Sequence, residues 1–218
     1  MLNIIVSIPG SQPTGKFPPT GHYDTHSGAP GAGDDGVSTL AMLEAIRMLL
    51  SSEKLRNDII FLFSDGEEAG YMGSTAFMMS SLSDQIDLVF VFDSWPGHGP
   101  TTLKQTSQGD GWLVCSLAKA NPRVFAMSYG VNNKRSGFDS DFDMFSSRLP
   151  GIELENNRTG TRYHSPNDTV DGVDPSLVHS QGEAMLKRIR YFDALDLSQV
   201  TQEKDYSFIT WPIVGIVT

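Results

Sequence analysis

Apolar runs bounded by turn residues dominate the pattern of this chain, interleaved with longer segments of helical period. Asn3–Ile8 predicts a strand closed by Pro9-Gly10, and Asp58–Ser64 and Ile86–Phe92 are continuous runs rich in Ile, Val and Phe. Runs without polar alternation suit strands covered on both faces. Between the latter two, Tyr71–Ser80 predicts a helix, so strand, helix and strand predict a parallel crossover. Val37–Leu50 predicts a helix with Glu44, Arg47 and Ser51 on one face and mostly apolar residues elsewhere, hence largely buried. Thr101–Thr106 and Gly151–Glu155 predict further strands. Gly111–Ala120, ending near Asn121-Pro122, and Asp141–Ser147 predict further helices.

Asp174-Pro175 predicts a helix start, an N-cap followed by proline at the first helical position. That helix runs to about Tyr191, with Val178, Gly182, Met185, Ile189 and Phe192 on one stripe. Ser11–Thr20 is rich in Pro, Gly and polar residues and predicts a turn or loop. The pair Pro18-Pro19 just before His22 argues against a central strand there, and predicts a short, distorted or edge strand. No repeat, low-complexity tract or linker divides the chain. The pattern predicts one α/β domain over residues 1–218: a three-layer α/β/α sandwich with a central mixed, mainly parallel sheet.

Composition changes the picture in a few places. A chain of 218 residues suffices for one domain with a sizeable core. The net charge of -10, with no Lys/Arg-rich patch interleaved with aromatics, argues against nucleic acid. A solvated acidic surface accounts for most of that charge. The rest is open to a metal site or a substrate bearing a cationic amino group. Cys115 is the only cysteine, which excludes an internal disulfide; within Trp112–Leu117 it reads as a buried small hydrophobe. The N-terminus lacks the basic segment and apolar run of a signal peptide, and no stretch is long enough to span a bilayer. The apolar run Phe208–Thr218 reads as a last strand or as the start of a membrane segment.

The candidate chemistry lies at the ends of the predicted elements. Asp65-Gly66-Glu67-Glu68 follows the apolar run Ile59–Phe63, so two adjacent carboxylates emerge where a buried strand ends. Four other pieces accompany it in chain order: His22-Tyr23-Asp24, Asp34-Asp35-Gly36, Asp93, and His164 within Tyr163–Thr169. Each alone has an ordinary structural reading as a helix N-cap, a turn or a loop histidine. Together they supply two imidazoles and several carboxylates from strand ends and loops, where open α/β sheets bind ligands. That is the ligand chemistry of a hydrolytic two-metal site. Ser107–Trp112 and Asn132–Ser140 are the loops expected to wall a substrate pocket. His26, His98 and His179 read as non-ligands, and Arg162 and Tyr163 as structural or substrate-contacting in equal measure.

On these motifs, with Gly31-Ala32-Gly33-Asp34-Asp35-Gly36-Val37-Ser38 and Tyr163-His164-Ser165-Pro166-Asn167-Asp168-Thr169, the chain resembles the co-catalytic di-zinc aminopeptidase family. That family also holds glutamate carboxypeptidases and glutaminyl cyclases, and the resemblance is nearest to bacterial aminopeptidase-like domains. It covers most of the chain from His22 onward and implies two Zn²⁺ ions per chain. Asp34 would bridge them, His22 and Asp93 would complete one, and Glu68 and His164 the other. Glu67 would be the general base that takes the proton of a metal-bridged water, and Asp24 would orient His22. The resemblance also implies a cis peptide at Asp34-Asp35.

The substrate expected from the resemblance is a peptide with a free N-terminus. An exported or membrane-associated location is favoured, with N-terminal elements and a C-terminal membrane extension of relatives lying outside this sequence. The oligomeric state, the preferred side chain and the native metal are left open. Two alternatives stand beside the aminopeptidase: a glutaminyl cyclase-like acyltransferase with one zinc, and a non-catalytic binding domain on the same scaffold.

Overall fold

The computed structural model describes residues 1–120, 125–126, 139–156, 161–201, 204–211 and 215–217. Among them the main sheet has seven strands: β1 (Ile4–Ile8), β2 (Lys16–Phe17), β3 (Pro19–His22), β4 (Asp58–Ser64), β5 (Val89–Phe92), β6 (Thr101–Thr106) and β7 (Gly151–Asn156). The order is β1-β4-β3-β5-β7-β6, with β2 also pairing with β4. The centre is parallel, and β1 and β6 close the two edges antiparallel. The helices are α1 (Gly36–Leu50), α2 (Met72–Met78), α3 (Gly111–Ala120), α4 (Phe142–Ser146) and α5 (Pro175–Asp193).

Strand alternation sorts the core into two layers. Ile59, Phe61 and Phe63 of β4 join Phe90, Phe92, Ile152 and Leu154 under α1, α3 and α5. Ile60, Leu62, Val89 and Val91 point the other way, against Phe77 of α2 and Phe142 and Phe145 of α4. With both faces covered, the continuous apolar runs are explained, and the three-layer α/β/α sandwich with a mainly parallel sheet is the observed architecture.

Several sequence-based expectations need correction. The segment Ser11–Thr20 is not all loop, since it contains β2 and the start of β3. β3 is short, but it lies between β4 and β5 rather than at an edge. Its prolines are tolerated because they stand at its entry: Pro18 serves as an acceptor for the Phe90 N–H, and the pairing with β4 uses Thr20, Gly21 and His22. The crossover from β4 to β5 is parallel but passes over β3. Only Val89–Phe92 of the predicted Ile86–Phe92 strand pairs, after a 3-10 turn at Ser83–Gln85.

α1 is not largely buried. Ala41, Met42, Ala45 and Leu49 face the core while Leu40, Leu43 and Leu50 are exposed. In α5 the buried stripe is rotated from the predicted one to Leu177, Gln181, Ala184, Met185, Arg188, Ile189 and Phe192. Cys115 is half-buried. At the C-terminus, β8 (Ile209–Trp211) and β9 (Gly215–Val217) form a separate antiparallel pair. Residues 121–122, 132–138, 212–214 and 218 of the predicted segments lie outside the described residues.

Candidate metal centre

The carboxyl ends of β3, β4 and β5 and three loops converge on one crevice. His22 closes β3 opposite Ser64 of β4, and Asp93 follows β5 directly. The chain after β4 turns at Gly66, whose φ of +73° suits glycine, and this turn delivers Glu67 and Glu68. Asp34 and Asp35 precede α1 and are joined by a cis peptide bond, as the resemblance implied. Asp35 caps α1 by accepting from the Ser38 N–H.

Asp34 stands between the two imidazoles. Its Oδ1 is 3.3 Å from His22 Nε2 and its Oδ2 is 3.2 Å from His164 Nε2. His22 Nε2 is also 3.9 Å from Asp93 Oδ1, and His164 Nε2 is 3.2 Å from Glu68 Oε1. Two groups of possible metal-ligand atoms result, His22 with Asp35 and Asp93, and Asp34 with Glu68 and His164, each with its atoms within 4.8 Å of one another. In the first group Asp35 Oδ1 accepts from the Ser38 N–H and, at 2.7 Å, from the Ser94 hydroxyl, while its Oδ2 is buried with no hydrogen-bond partner. Asp34 lies closer to His22 than Asp93 does, so it borders both groups.

The supports of these side chains are explicit. His22 Nδ1 lies 3.0 Å from the Asp24 carbonyl oxygen, whereas the Asp24 carboxylate is 3.6 Å away. The Asp24 backbone therefore orients His22. Its carboxylate lies beside the same ring and also accepts from the N–H groups of Glu67 (3.0 Å) and Glu68 (3.2 Å). Asp168 plays the corresponding part for the other loops: it accepts from the N–H of Gly33 at 2.7 Å and of Asp34 at 3.1 Å, and so ties the His164 loop to the Asp34 loop. Gln181 of α5 donates to the Asp93 carbonyl oxygen and to Ser38, both at 3.0 Å.

Electrostatically the crevice is crowded with negative charge. Burial alone would lower the His22 imidazole, yet the surrounding Asp24, Asp34, Asp35 and Asp93 raise it well above its ordinary value. Burial, reinforced by Asp93 and Glu68, pushes Asp34 up to about 7. Burial pushes Glu67 up to about 9, with Asp93, Asp141 and Glu68 adding to it. Asp93 Oδ1 and Glu68 Oε1 are buried with no hydrogen-bond partner. Unpartnered buried carboxylate oxygens beside imidazole nitrogens are a donor set that fits a divalent cation bound through N and O ligands.

A model of peptidase family M28 matches residues 3–189. The chain belongs to peptidase family M28. It is 28% identical over 204 residues to endoplasmic reticulum metallopeptidase 1 of Rattus norvegicus, an alignment covering 90% of this chain and 23% of that protein. The chain thus spans under a quarter of such a relative. Its fold is similar to that of the LapA aminopeptidase of Legionella pneumophila, with a TM-score of 0.71 and 19% identity over 91% of this chain and 56% of that one. It is also similar to that of a glutaminyl cyclase from an Acidobacteriales bacterium, with a TM-score of 0.69 and 22% identity over 88% and 73% of the two chains.

Within this M28 fold, His22, Asp24, Asp34, Glu67, Glu68, Asp93 and His164 all stand at the one crevice. Other residues there escaped the sequence reading. Asp141, nearly fully buried, accepts a hydrogen bond from the Ser64 hydroxyl and is raised by burial. On β7, Glu153 and Glu155 share the ammonium of Lys104 at 3.5 and 3.2 Å. Since Phe92 pairs with Leu154, Glu155 extends the row of His22 and Asp93 by one strand. A carboxylate on alternate positions of a buried strand was the available signal. The expected wall Ser107–Trp112 is elsewhere: Ser107 binds Gly151 at the start of β7, the opposite edge of the sheet. Of the second expected wall, Asp139 and Ser140 are described, and Asp139 lies 3.5 Å from Lys104.

Proposed function

We propose that this chain is the single catalytic domain of a zinc-dependent aminopeptidase that holds two metal ions. The observation that carries the reading is the Asp34 carboxylate, with one oxygen against each imidazole and a second carboxylate completing each side. In this reading His22, Asp93 and Asp34 hold one ion, and Glu68, His164 and Asp34 the other. Zinc bound there supplies Lewis acidity towards the scissile carbonyl and brings the pKa of water towards neutrality.

The protein's own groups do the rest. Glu67 is the general base. Adjacent to Glu68 at the same crevice, it would take a proton from the attacking water and return it to the leaving amine. Asp24 sets the position of Glu67 and Glu68 through their backbone N–H groups, so that neighbouring side chains can take different tasks. The excess of carboxylates favours a substrate whose free α-amino group is cationic, which supports an exopeptidase acting at the N-terminus. A one-zinc cyclase needs only one half of the centre, and the presence of both halves supports the two-metal reading.

The relatives include proteins named endoplasmic reticulum metallopeptidase 1 and vacuolar membrane protease, a kinship that supports a membrane-associated location. Among the described residues no helix is long and apolar enough to cross one.

The test is hydrolysis of aminoacyl anilides by the chelated protein with and without added Zn²⁺. Zinc-restored cleavage of unblocked but not N-acetylated substrates is expected. Equal cleavage of both, or no cleavage by folded zinc-loaded protein, overturns the aminopeptidase reading. Glu67→Gln should keep both metal equivalents and lose about 10²- to 10⁴-fold in kcat.

A further inference from the structure

The two imidazoles of the centre are oriented by different devices. A metal-ligating histidine ordinarily has its second ring nitrogen fixed by a hydrogen bond, which sets the plane of the ring. His22 has this through the Asp24 carbonyl oxygen at 3.0 Å. His164 does not: among the described residues its polar contacts are at Nε2, to Asp34 and Glu68, and none is made by Nδ1. Its backbone is no firmer a guide, for it sits in a loop with φ at +52°, a region that residues other than glycine rarely occupy.

What surrounds the His164 ring instead is a stack. On one side the Tyr163 ring lies parallel to it at 3.7 Å between centroids and 21° between planes, and Trp95 continues the stack on Tyr163 at 4.4 Å and 17°. The His26 ring also lies parallel to it, at 4.2 Å and 11°. The outer rings come from two other loops, after β3 and after β5. Trp95 is anchored through its backbone, since its N–H donates to Asn156 Oδ1 at 2.7 Å and its carbonyl oxygen accepts from Asn156 Nδ2 at 2.8 Å. The Lys104 ammonium lies 5.8 Å from the Trp95 ring centroid, within cation–π range.

We propose that His26 and Trp95 are positioning residues for the metal half held by Glu68 and His164, confining the His164 imidazole to one plane by stacking where His22 is confined by a hydrogen bond. This rests on the two-metal reading above. Neither ring touches the reacting atoms. Their effect is on how Nε2 is presented, so it falls on metal affinity before it falls on chemistry. The stack is selective: the other half is braced by Asp24 and Gln181 and should not sense its loss.

The experiment is calorimetric titration of Co²⁺ into the chelated 218-residue chain, with the absorption spectrum of each equivalent recorded, for wild type, His26→Ala, His26→Phe and Trp95→Ala. The expected result is a first equivalent unchanged in affinity and spectrum in all four, which also reports that the variants are folded. The second equivalent should weaken about 10- to 100-fold in His26→Ala and Trp95→Ala, the range found when groups that orient a metal-bound histidine are removed. His26→Phe keeps a flat ring without nitrogen and should restore the second equivalent to near wild type.

A second equivalent of unchanged affinity in both alanine variants overturns the proposal. So does a His26→Phe variant as weak as His26→Ala, which would make the nitrogen, not the stack, responsible. A wild type that takes up a single equivalent overturns the two-metal reading itself and this proposal with it, and is distinguished by failing before any variant is compared.

Discussion

The His22 side chain is 5% exposed and ends an interior strand, whereas the His164 side chain is 31% exposed and stands in a loop. The His22 half is made by sheet geometry: pairing of β3 with β4 and β5 fixes its position, and carboxylates on several sides raise its affinity for a proton. The His164 half is made by loops tied together, through Asp168 to the Asp34 loop and through stacked rings to Trp95 and His26. Burial, with the nearby charge of His26, lowers the His164 imidazole. The difference teaches that one centre can combine a half that folds with the core and a half that depends on tertiary ties between exposed segments. The second should be the more easily lost.

Metal removal should separate the halves most strongly. A site saturated at about 100 times its Kd adds about 2.7 kcal/mol to folding stability, so two such sites add about 5 kcal/mol. Denaturant midpoints with and without chelator should show about half that difference in His164→Ala and somewhat less than half in His22→Ala, which removes the ligand of the more buried site. Equal behaviour of the two variants would erase the distinction.

Next in size is a pH effect on the metal-free protein. Burial raises Asp34 to about 7, Glu67 to about 9, Glu153 to about 7 and Glu155 to about 8. The folded state therefore holds more protons than the unfolded state, whose carboxyls titrate near pH 4 to 4.5. Stability is full below that range and falls as pH rises towards about 9. A Tm that falls as pH rises from about 5 to about 9 is expected by thermal scans, and added zinc should flatten the fall. A metal-free Tm that rises with pH would mean these carboxylates are not held as described.

Two smaller changes aim at one half each. Asp168→Ala strips the acceptor from the Gly33 and Asp34 N–H groups and should cost about 2 kcal/mol, with the weaker metal equivalent affected first. Gln181→Met, on α5, removes the bond to the Asp93 carbonyl oxygen and should cost about 1.5 kcal/mol while weakening the tighter equivalent. Urea melts and metal titrations check both, and an exchange of the two patterns would reverse the assignment of supports.

Much of the fold was legible because period reports burial. The runs at Asp58–Ser64 and Gly151–Glu155 are covered on both faces, and Asp174-Pro175 starts α5 through a local cap. The placement of β3 was not legible, since Pro18 and Pro19 argue locally against a central strand and only the neighbours show that their missing donors are harmless there. Nor was the exposed side of α1, because its apolar residues run around the helix and period cannot say which of them meets the sheet. The buried stripe of α5 misled for a related reason: Gln181 and Arg188 are polar by type, yet lie against the core.

For the centre, residue type and position at strand ends brought forward His22, Asp24, Asp34, Glu67, Glu68, Asp93 and His164. Such ends point to one edge of a parallel sheet wherever they stand in the chain. What the chain could not reveal alone was which group touches which. That Asp24 presents its carbonyl to His22 and its carboxylate to Glu67 and Glu68 depends on how two loops meet. That His26 and Trp95 lie in the stack containing His164 depends on segments far apart in sequence closing on the same space. Local periodicity and capping act over a few residues, and so the sequence itself determined most strands, the helices and much of the chemical inventory. Contacts between distant loops are decided by packing of the whole chain, and so only the tertiary structure determined how that inventory is supported.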